Sequence, residues 1–196
     1  MQIVPLLYHG GQFVEFYQND EINLVRRLSG WVVDIVVALA FAWFFLHAFG
    51  TQILVSGQSM TPLLNSGDVV LMNRLVYDLG KPDRMDVVVF EREDHRANVK
   101  RVIGIPGDVV QIRDGILYVN GKRFGASEGL DYVSLAGLAE KPVVLEEGEY
   151  FLLGDNRDSS EDSRFAKTGN VIEEQILGKV WLRLFPLIDI RWIRSH

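Results

Sequence analysis

The chain has 196 residues, a formal net charge of −6 and a pI of about 5.2. That length allows one domain together with one membrane anchor, and the negative charge provides no global basic field for nucleic acid. The sequence contains no cysteine, which excludes disulfides, thiolate catalysis and cysteine-ligated metals. The histidines lack the spacing of metal ligands, so we expect neither a metal nor a cofactor. They are His9, His47, His95 and His196.

An apolar segment, residues 31–49, is the first element that the sequence predicts. It is WVVDIVVALAFAWFFLHAF, and as a helix its nineteen residues would span ~28 Å, close to the ~30 Å hydrocarbon core of a bilayer. We therefore predict a retained transmembrane anchor over residues 31–50. A buried core helix is the alternative, but so short a chain has little protein to surround one. A cleavable signal peptide would have an apolar region of about 7–15 residues followed by a small-residue cleavage pattern. This apolar run is longer, and no such pattern ends it cleanly.

The charges beside this segment predict its orientation. Arg26 and Arg27 precede it, whereas residues 51–73 contain no lysine or arginine. The positive-inside rule therefore places a tail, residues 1–30, in the cytoplasm and residues 51–196 outside the cytoplasmic membrane. The lipid bilayer is accordingly an expected partner.

Residues 51–196 have the pattern of an all-β domain. Short β-branched runs, such as residues 69–72, 87–90 and 109–112, alternate with glycine, aspartate and asparagine turns. Two dipeptides, Asp114-Gly115 and Asn120-Gly121, are strong signals for tight hairpins. We therefore predict a mainly β, partly closed barrel or sandwich. Residues 122–148 are less regular and are interpreted as an insertion within it.

Ser59, in the segment Gly57-Gln58-Ser59-Met60-Thr61-Pro62-Leu63, is a candidate nucleophile. A lone serine in a loop is usually a solvated turn residue, and by itself this segment is a weak signal. Here, however, Gly57 and Pro62 restrict the backbone on both sides. A serine also needs a base before it can attack a carbonyl.

Lys100 interrupts an apolar stretch, residues 99–105, that has the pattern of a strand. Neighbouring side chains of a strand point to opposite faces, so Lys100 and Arg101 diverge and at least one of them is expected to be buried. The alternative is an edge strand that carries protective charges. A buried lysine would have its pKa lowered from ~10.4 by as much as 3–5 units and would then be able to accept the Ser59 proton near neutral pH.

Residues 154–164, Gly-Asp-Asn-Arg-Asp-Ser-Ser-Glu-Asp-Ser-Arg, are dense in short polar side chains. Their order does not match an EF-hand calcium loop, and a plain solvated loop is the other alternative. We favour a structural network that holds the Ser160 hydroxyl beside the lysine. Its expected ion pairs join three aspartates to two arginines. These are Asp155, Asp158 and Asp162 with Arg157 and Arg164.

A Ser-His-Asp triad is disfavoured by elimination. His9 lies in the tail, His47 lies in the apolar segment, and His196 is the last residue. His95 lies in a charged run typical of a solvated hairpin tip. None of the four is well placed to be the base for Ser59.

Taken in order, these segments resemble the type I signal peptidases, membrane-bound Ser-Lys peptidases. The resemblance covers nearly all the chain: the anchor, the segment around Ser59, Gly67-Asp68-Val69-Val70, the Lys100-Arg101 segment and residues 154–164. No single segment is decisive, whereas the ordered set is highly specific. The single anchor and the small size are most similar to the Gram-positive-type members.

This resemblance implies a Ser-Lys dyad that removes signal peptides from exported preproteins. It implies Ser59 as nucleophile, Lys100 as general base and Ser160 as the residue that positions the lysine. Three further residues match structural positions, namely Asp155, Asp162 and Arg164. The main-chain N–H of Ser59 is implied as one oxyanion donor. Where some members carry a serine two residues before the nucleophile this chain has Gly57, so no second donor is assigned.

Two other classes of protein stay open at this point. A catalytically silent paralogue of the same fold would need neither Ser59 nor Lys100, and the chain has both. A self-cleaving Ser-Lys repressor would carry a DNA-binding helix-turn-helix and no membrane span, the reverse of what this sequence shows.

Overall fold

The computed structural model describes residues 20–92, 95–127 and 129–194. It divides into two units, Met1–Trp43 and Phe44–His196. Most of the predicted tail, residues 1–19, lies outside the described residues. The secondary structure of the remainder is mainly β with one long N-terminal helix, and the predicted fold class is therefore confirmed.

Helix α1 spans Asp20–Phe49. It begins before the apolar run because residues 20–30 contain no proline to prevent helix formation. The stretch Arg26–Phe45 has a mean hydropathy of 2.0, and none of it is buried in the protein. Large apolar side chains such as Trp31 and Phe41 are exposed along it. By length and composition this helix is able to cross a membrane.

Within the described residues, twelve strands, one short α-helix and three 3-10 helices follow. The first half contains β1 (Thr51–Leu54), β2 (Val69–Asn73), helix α2 (Val76–Leu79), β3 (Val87–Glu91), β4 (Ala97–Gly104), β5 (Val109–Arg113) and β6 (Ile116–Val119). The second half contains β7 (Lys122–Arg123), β8 (Val143–Val144), β9 (Glu149–Leu153), β10 (Val171–Ile172), β11 (Ile176–Phe185) and β12 (Arg191–Trp192).

The larger sheet has eight strands in the order β1-β2-β11-β3-β4-β9-β10, and β12 pairs with the end of β11. The pairs are antiparallel, and the register shifts within the β11–β2, β11–β3 and β4–β9 pairs. Such bulges bend a sheet and increase its twist. The sheet therefore curls without closing on itself.

The smaller sheet has the order β7-β6-β5-β8. Both predicted hairpins lie in it: Asp114 and Gly115 join β5 to β6, while Asn120 and Gly121 join β6 to β7. All four of these residues have positive φ, as a type I′ turn requires. The segment predicted as an insertion, residues 122–148, supplies β7 and β8, the two edge strands of this sheet.

The apolar residues that alternate along the strands pack against one another and against apolar residues of the loops. One buried cluster joins Val70 and Val180 of the larger sheet to Met60 and Leu64 of the loop between β1 and β2. A second cluster joins the smaller sheet to β4 and β9, and a third lies among β3, β4, β9, β10 and β11 of the larger sheet. The first cluster matters most for function because it fixes the loop that carries Ser59.

Candidate active site

The loop between β1 and β2, residues 55–68, presents Ser59 in a half-buried position. Gly57 has φ of +83°, a conformation that a residue with a Cβ adopts only with strain. On the other side of the serine, Met60 and Leu64 are buried in the core. The nucleophile candidate therefore lies between a turn that needs glycine and an apolar anchor.

Lys100 lies in β4, a strand with neighbours on both sides, and is only 3% exposed. Its Nζ donates to the Ser59 Oγ at 2.9 Å and to the Val99 carbonyl oxygen at 3.2 Å. The two side chains are separated by 41 positions in the sequence, so the sheet and the loop must both form before they meet.

Burial of the Lys100 ammonium lowers its pKa from 10.5 to about 8, because a charged amine is poorly solvated inside the protein. The carboxylate of Asp162 acts in the opposite direction and raises the pKa, but the effect of burial is larger. The shift corresponds to about 3 kcal/mol in favour of the neutral amine. A substantial fraction of Lys100 is therefore neutral near physiological pH.

Arg101, the neighbour of Lys100, is also buried and points away from it, toward Asp155. Its guanidinium makes two hydrogen bonds of 2.7 Å to the two oxygens of that carboxylate. A third bond, of 2.9 Å, goes to the carbonyl of Met85. This planar, bidentate arrangement is one that arginine makes and lysine does not. It fixes the start of loop 154–164 against β4.

Asp162 and Arg164 form a second ion pair in the same loop, and both side chains are fully buried. The guanidinium binds both carboxylate oxygens, at 2.8 and 3.0 Å. It also donates to carbonyls around the loop, namely those of Leu135, Arg157 and Ser160. Asp162 in turn accepts from the Gly154 N–H at 3.1 Å. One buried pair thus ties the two ends of the loop together.

Loop 154–164 also contacts the nucleophile directly. The Asn156 N–H donates to the Ser59 carbonyl at 3.0 Å. A Cβ added at Gly154 would collide with that same carbonyl oxygen and with the Ser160 Oγ. Glycine at 154 therefore allows Ser160 and the Ser59 main chain to approach each other closely.

The model of the family described as "Signal peptidase, peptidase S26" matches residues 28–185. The chain belongs to the peptidase S26 family. The resemblance to signal peptidases is thereby confirmed, and the protein is an enzyme, a serine endopeptidase of the signal peptidase type.

Two relatives from Staphylococcus aureus and Bacillus licheniformis agree with this assignment. Signal peptidase IB of Staphylococcus aureus strain MRSA252 is 34% identical over 183 residues, covering 85% of this chain and 94% of that protein. Signal peptidase I of Bacillus licheniformis is 33% identical over 182 residues, covering 89% and 97%. A crystal structure of a signal peptidase I from Enterococcus faecalis V583 is 30% identical, covers 50% of this chain and 96% of that chain, and gives a TM-score of 0.38.

Ser160 of this S26 peptidase is buried and lies beside the Ser59 main chain. Its Oγ has no hydrogen-bond partner among the described residues, and the two bonds of Lys100 go to Ser59 and Val99. Catalytic hydrogen bonds are often long in a free enzyme and tighten when substrate binds. The lysine-positioning role of Ser160 stays a prediction.

The expected ion pairs of loop 154–164 differ in part from those that form. Asp155 pairs with Arg101 of β4 rather than with an arginine of its own loop, and Asp158 accepts from Ser134. The guanidinium of Arg157 is buried without a hydrogen-bond partner in residues 20–92, 95–127 and 129–194. Burial lowers the pKa of Arg157 to about 10, although Asp155 opposes this. Arg101 was not among the predicted site residues, and the one signal that could have indicated it is its divergence from Lys100 along the strand.

Two of the four histidines lie within the described residues. The His95 side chain is 89% exposed and lies 3.0 Å from a Glu91 carboxylate oxygen, while His47 is in α1. His9 and His196 are outside the described residues. The basic side chain in contact with Ser59 is that of Lys100.

Proposed function

We propose that this peptidase removes signal peptides from exported preproteins with Ser59 as nucleophile and Lys100 as general base, at the outer face of the cytoplasmic membrane. The observation that carries the proposal is the 2.9 Å contact between the Lys100 Nζ and the Ser59 Oγ. A base must lie within about 2.6–3.2 Å of the proton that it abstracts. Burial supplies the second requirement, because it lowers the pKa of Lys100 to about 8.

The reaction begins with neutral Lys100, which takes the proton of the Ser59 hydroxyl as the Oγ attacks the scissile carbonyl. The resulting oxyanion accepts a hydrogen bond from the Ser59 N–H, which makes no bond within the described residues. Protonated Lys100 gives its proton to the leaving amine, and the C–N bond breaks. Lys100, neutral again, then takes a proton from the water that attacks the acyl-enzyme, and it returns that proton to the Ser59 Oγ as the C–Oγ bond breaks and the acid product leaves.

The remaining predicted residues support this pair. In the proposal, Ser160 orients the lysine amine, and the ion pairs of Asp155 and of Asp162 with Arg164 hold the loop in place. These pairs are buried and multiply hydrogen-bonded. The neighbours of a reacting pair must keep it near its productive geometry, since a displacement of about 1 Å costs on the order of a hundredfold in rate.

An exposed apolar surface supports action beside a lipid bilayer. Residues 185–192 run from the last residue of β11 through β12, and their large apolar side chains are exposed. They are Phe185, Leu187, Ile188, Ile190 and Trp192. The segment is bound to the nucleophile loop, because Arg183 and Arg191 both donate to the carbonyl of Leu63. Such a patch is typical of a surface that contacts a membrane or a protein.

The orientation is proposed from charge: Arg26 and Arg27 precede the apolar run of α1, and residues 51–73 carry no basic side chain. Protease added to intact cells should digest residues 51–196 and spare the N-terminal tail. Protection of the large domain until the membrane is opened would reverse the proposed orientation and remove the site from exported substrates.

Cleavage of a model preprotein tests the chemistry. Ser59→Ala and Lys100→Ala should each abolish cleavage while the thermal unfolding profile persists, and the double variant should be little worse than either single one, because these residues act as a unit. Lys122→Ala is the matched control. Because Lys122 is exposed on β7, this variant should cleave the preprotein at the wild-type rate. Turnover of Lys100→Ala at the wild-type rate would reject the lysine base, and an inactive wild-type protein would favour the silent paralogue.

A further inference from the structure

An ion pair outside the predicted site connects loop 154–164 to the strand beside Lys100. The Arg92 guanidinium donates to a carboxylate oxygen of Glu161 at 2.9 Å. Arg92 directly follows β3, and Glu161 lies between Ser160 and Asp162 in the sequence. The Arg92 side chain is only 12% exposed, while that of Glu161 is 45% exposed. The contact is therefore partly shielded from water on the arginine side.

The pair links the strand next to that of the candidate base with the loop that carries Ser160: the Arg92 N–H donates to the carbonyl of Arg96, four positions before Lys100. β3 and β4 are adjacent antiparallel strands in which Val88 is opposite Lys100. The charges that act on the Lys100 amine come from four groups on two elements: Glu161, Asp162 and Arg164 lie in loop 154–164, and Arg92 directly follows β3. Asp162 and Arg164 neutralise each other in the core. The Arg92–Glu161 pair is thus the second pair of opposite charges that acts on the lysine.

We propose that Arg92 and Glu161 are positioning residues for Lys100, which hold the Ser160 loop beside β4 and balance the charge around the lysine amine. This inference rests on the proposed function, in which Lys100 is the base. Neither residue touches the reacting atoms. Each acts on the reaction through Lys100, and their opposite charges give them opposite effects on its basicity.

The two charges act on the lysine with opposite signs. The Arg92 cation disfavours a second cation and lowers the pKa of Lys100, whereas the Glu161 anion raises it. Glu161 is also within 3.1 Å of the Lys167 ammonium, so its own charge is shared between two cations. Arg92→Gln should therefore raise the pKa of Lys100, and Glu161→Gln should lower it.

The test is the pH dependence of kcat/KM for preprotein cleavage by the full chain in detergent. The midpoint of the rising limb should move up for Arg92→Gln and down for Glu161→Gln, each by roughly 0.3–0.7 pH unit, the size expected of a partly exposed charge. Arg92→Lys keeps the charge and should leave the midpoint near that of the wild type. The control is Lys81→Gln, which removes the surface pair between Lys81 and Glu173 and should not move it.

The outcomes distinguish an effect of the two charges on Lys100 from an effect of the pair on the position of the loop alone. If the pair only fixed the loop, loss of either partner would admit water to Lys100, and both midpoints would rise. Two shifts of the same sign, or no shift, would therefore overturn the proposal. The midpoint does not depend on how much of a variant folds, so a loss of protein does not obscure the result. If Lys100→Ala remains active, the proposed function itself fails, which is a different result from an inactive Lys100→Ala with unmoved midpoints.

Discussion

The lowered pKa of Lys100 predicts a specific dependence of activity on pH. With a pKa of about 8, roughly one lysine in ten is neutral at pH 7 and roughly nine in ten at pH 9. A solvated lysine with a pKa of ~10.4 would be neutral in only about one molecule in 2,500 at pH 7. Because the neutral amine is the active form, kcat/KM should rise about tenfold per pH unit below pH 7 and level off above pH 9.

The measurement is kcat/KM for a model preprotein from pH 6 to 10.5, which reports the ionisation of the free enzyme. Initial rates at substrate concentrations well below KM give this ratio directly. Recovery of full activity after return to pH 8 controls for unfolding at the extremes. A rising limb centred near 10.4, or no rise between pH 6 and 9, would refute the argument that burial makes Lys100 a base at ordinary pH.

Three substitutions test the surroundings of the dyad. Ser160→Ala should retain weak cleavage, about ten- to a hundredfold below wild type, because one orienting hydrogen bond is worth roughly 1–3 kcal/mol; a wild-type kcat/KM would show that Ser160 does not orient Lys100. Asp155→Ala leaves Arg101 buried and unpaired, which costs about 3–5 kcal/mol and should lower the thermal midpoint by roughly 6–20 °C; an unchanged midpoint by calorimetry would contradict this. Gly154→Ala should reduce kcat/KM about a hundredfold, because its Cβ would collide with the Ser59 carbonyl and the Ser160 hydroxyl; wild-type cleavage would show that the loop relaxes freely.

Much of the fold follows from local sequence signals. The apolar run of α1, the β-branched runs and the two hairpin turns are determined by periodicity and by residues with known backbone preferences. Their prediction needed no long-range information. The start of α1 was less predictable, because residues 20–30 are compatible with a helix but carry no strong signal for its first residue.

The partners in the site were harder to predict because they depend on the three-dimensional path of the chain. The alternation of β4 indicated that Lys100 and Arg101 diverge, but not that Arg101 reaches Asp155, 54 positions later. The acidic and basic residues of loop 154–164 suggested ion pairs within the loop, with Arg157 as one of the cations. In the structure Asp155 pairs with Arg101 and Asp162 pairs with Arg164. The same limit applies to Arg92, whose partner Glu161 is 69 positions away.

The pairing of carboxylates with arginines explains how a lysine surrounded by acidic groups remains a base. A free carboxylate beside Lys100 would favour the ammonium and raise its pKa. Here Asp162 is bound by Arg164 on both oxygens, and Glu161 is bound by Arg92. Each anion that acts on Lys100 is thus accompanied by a cation that opposes it. With these charges largely balanced, desolvation decides the pKa of the amine, and the depth of Lys100 in the sheet becomes the property that sets its basicity.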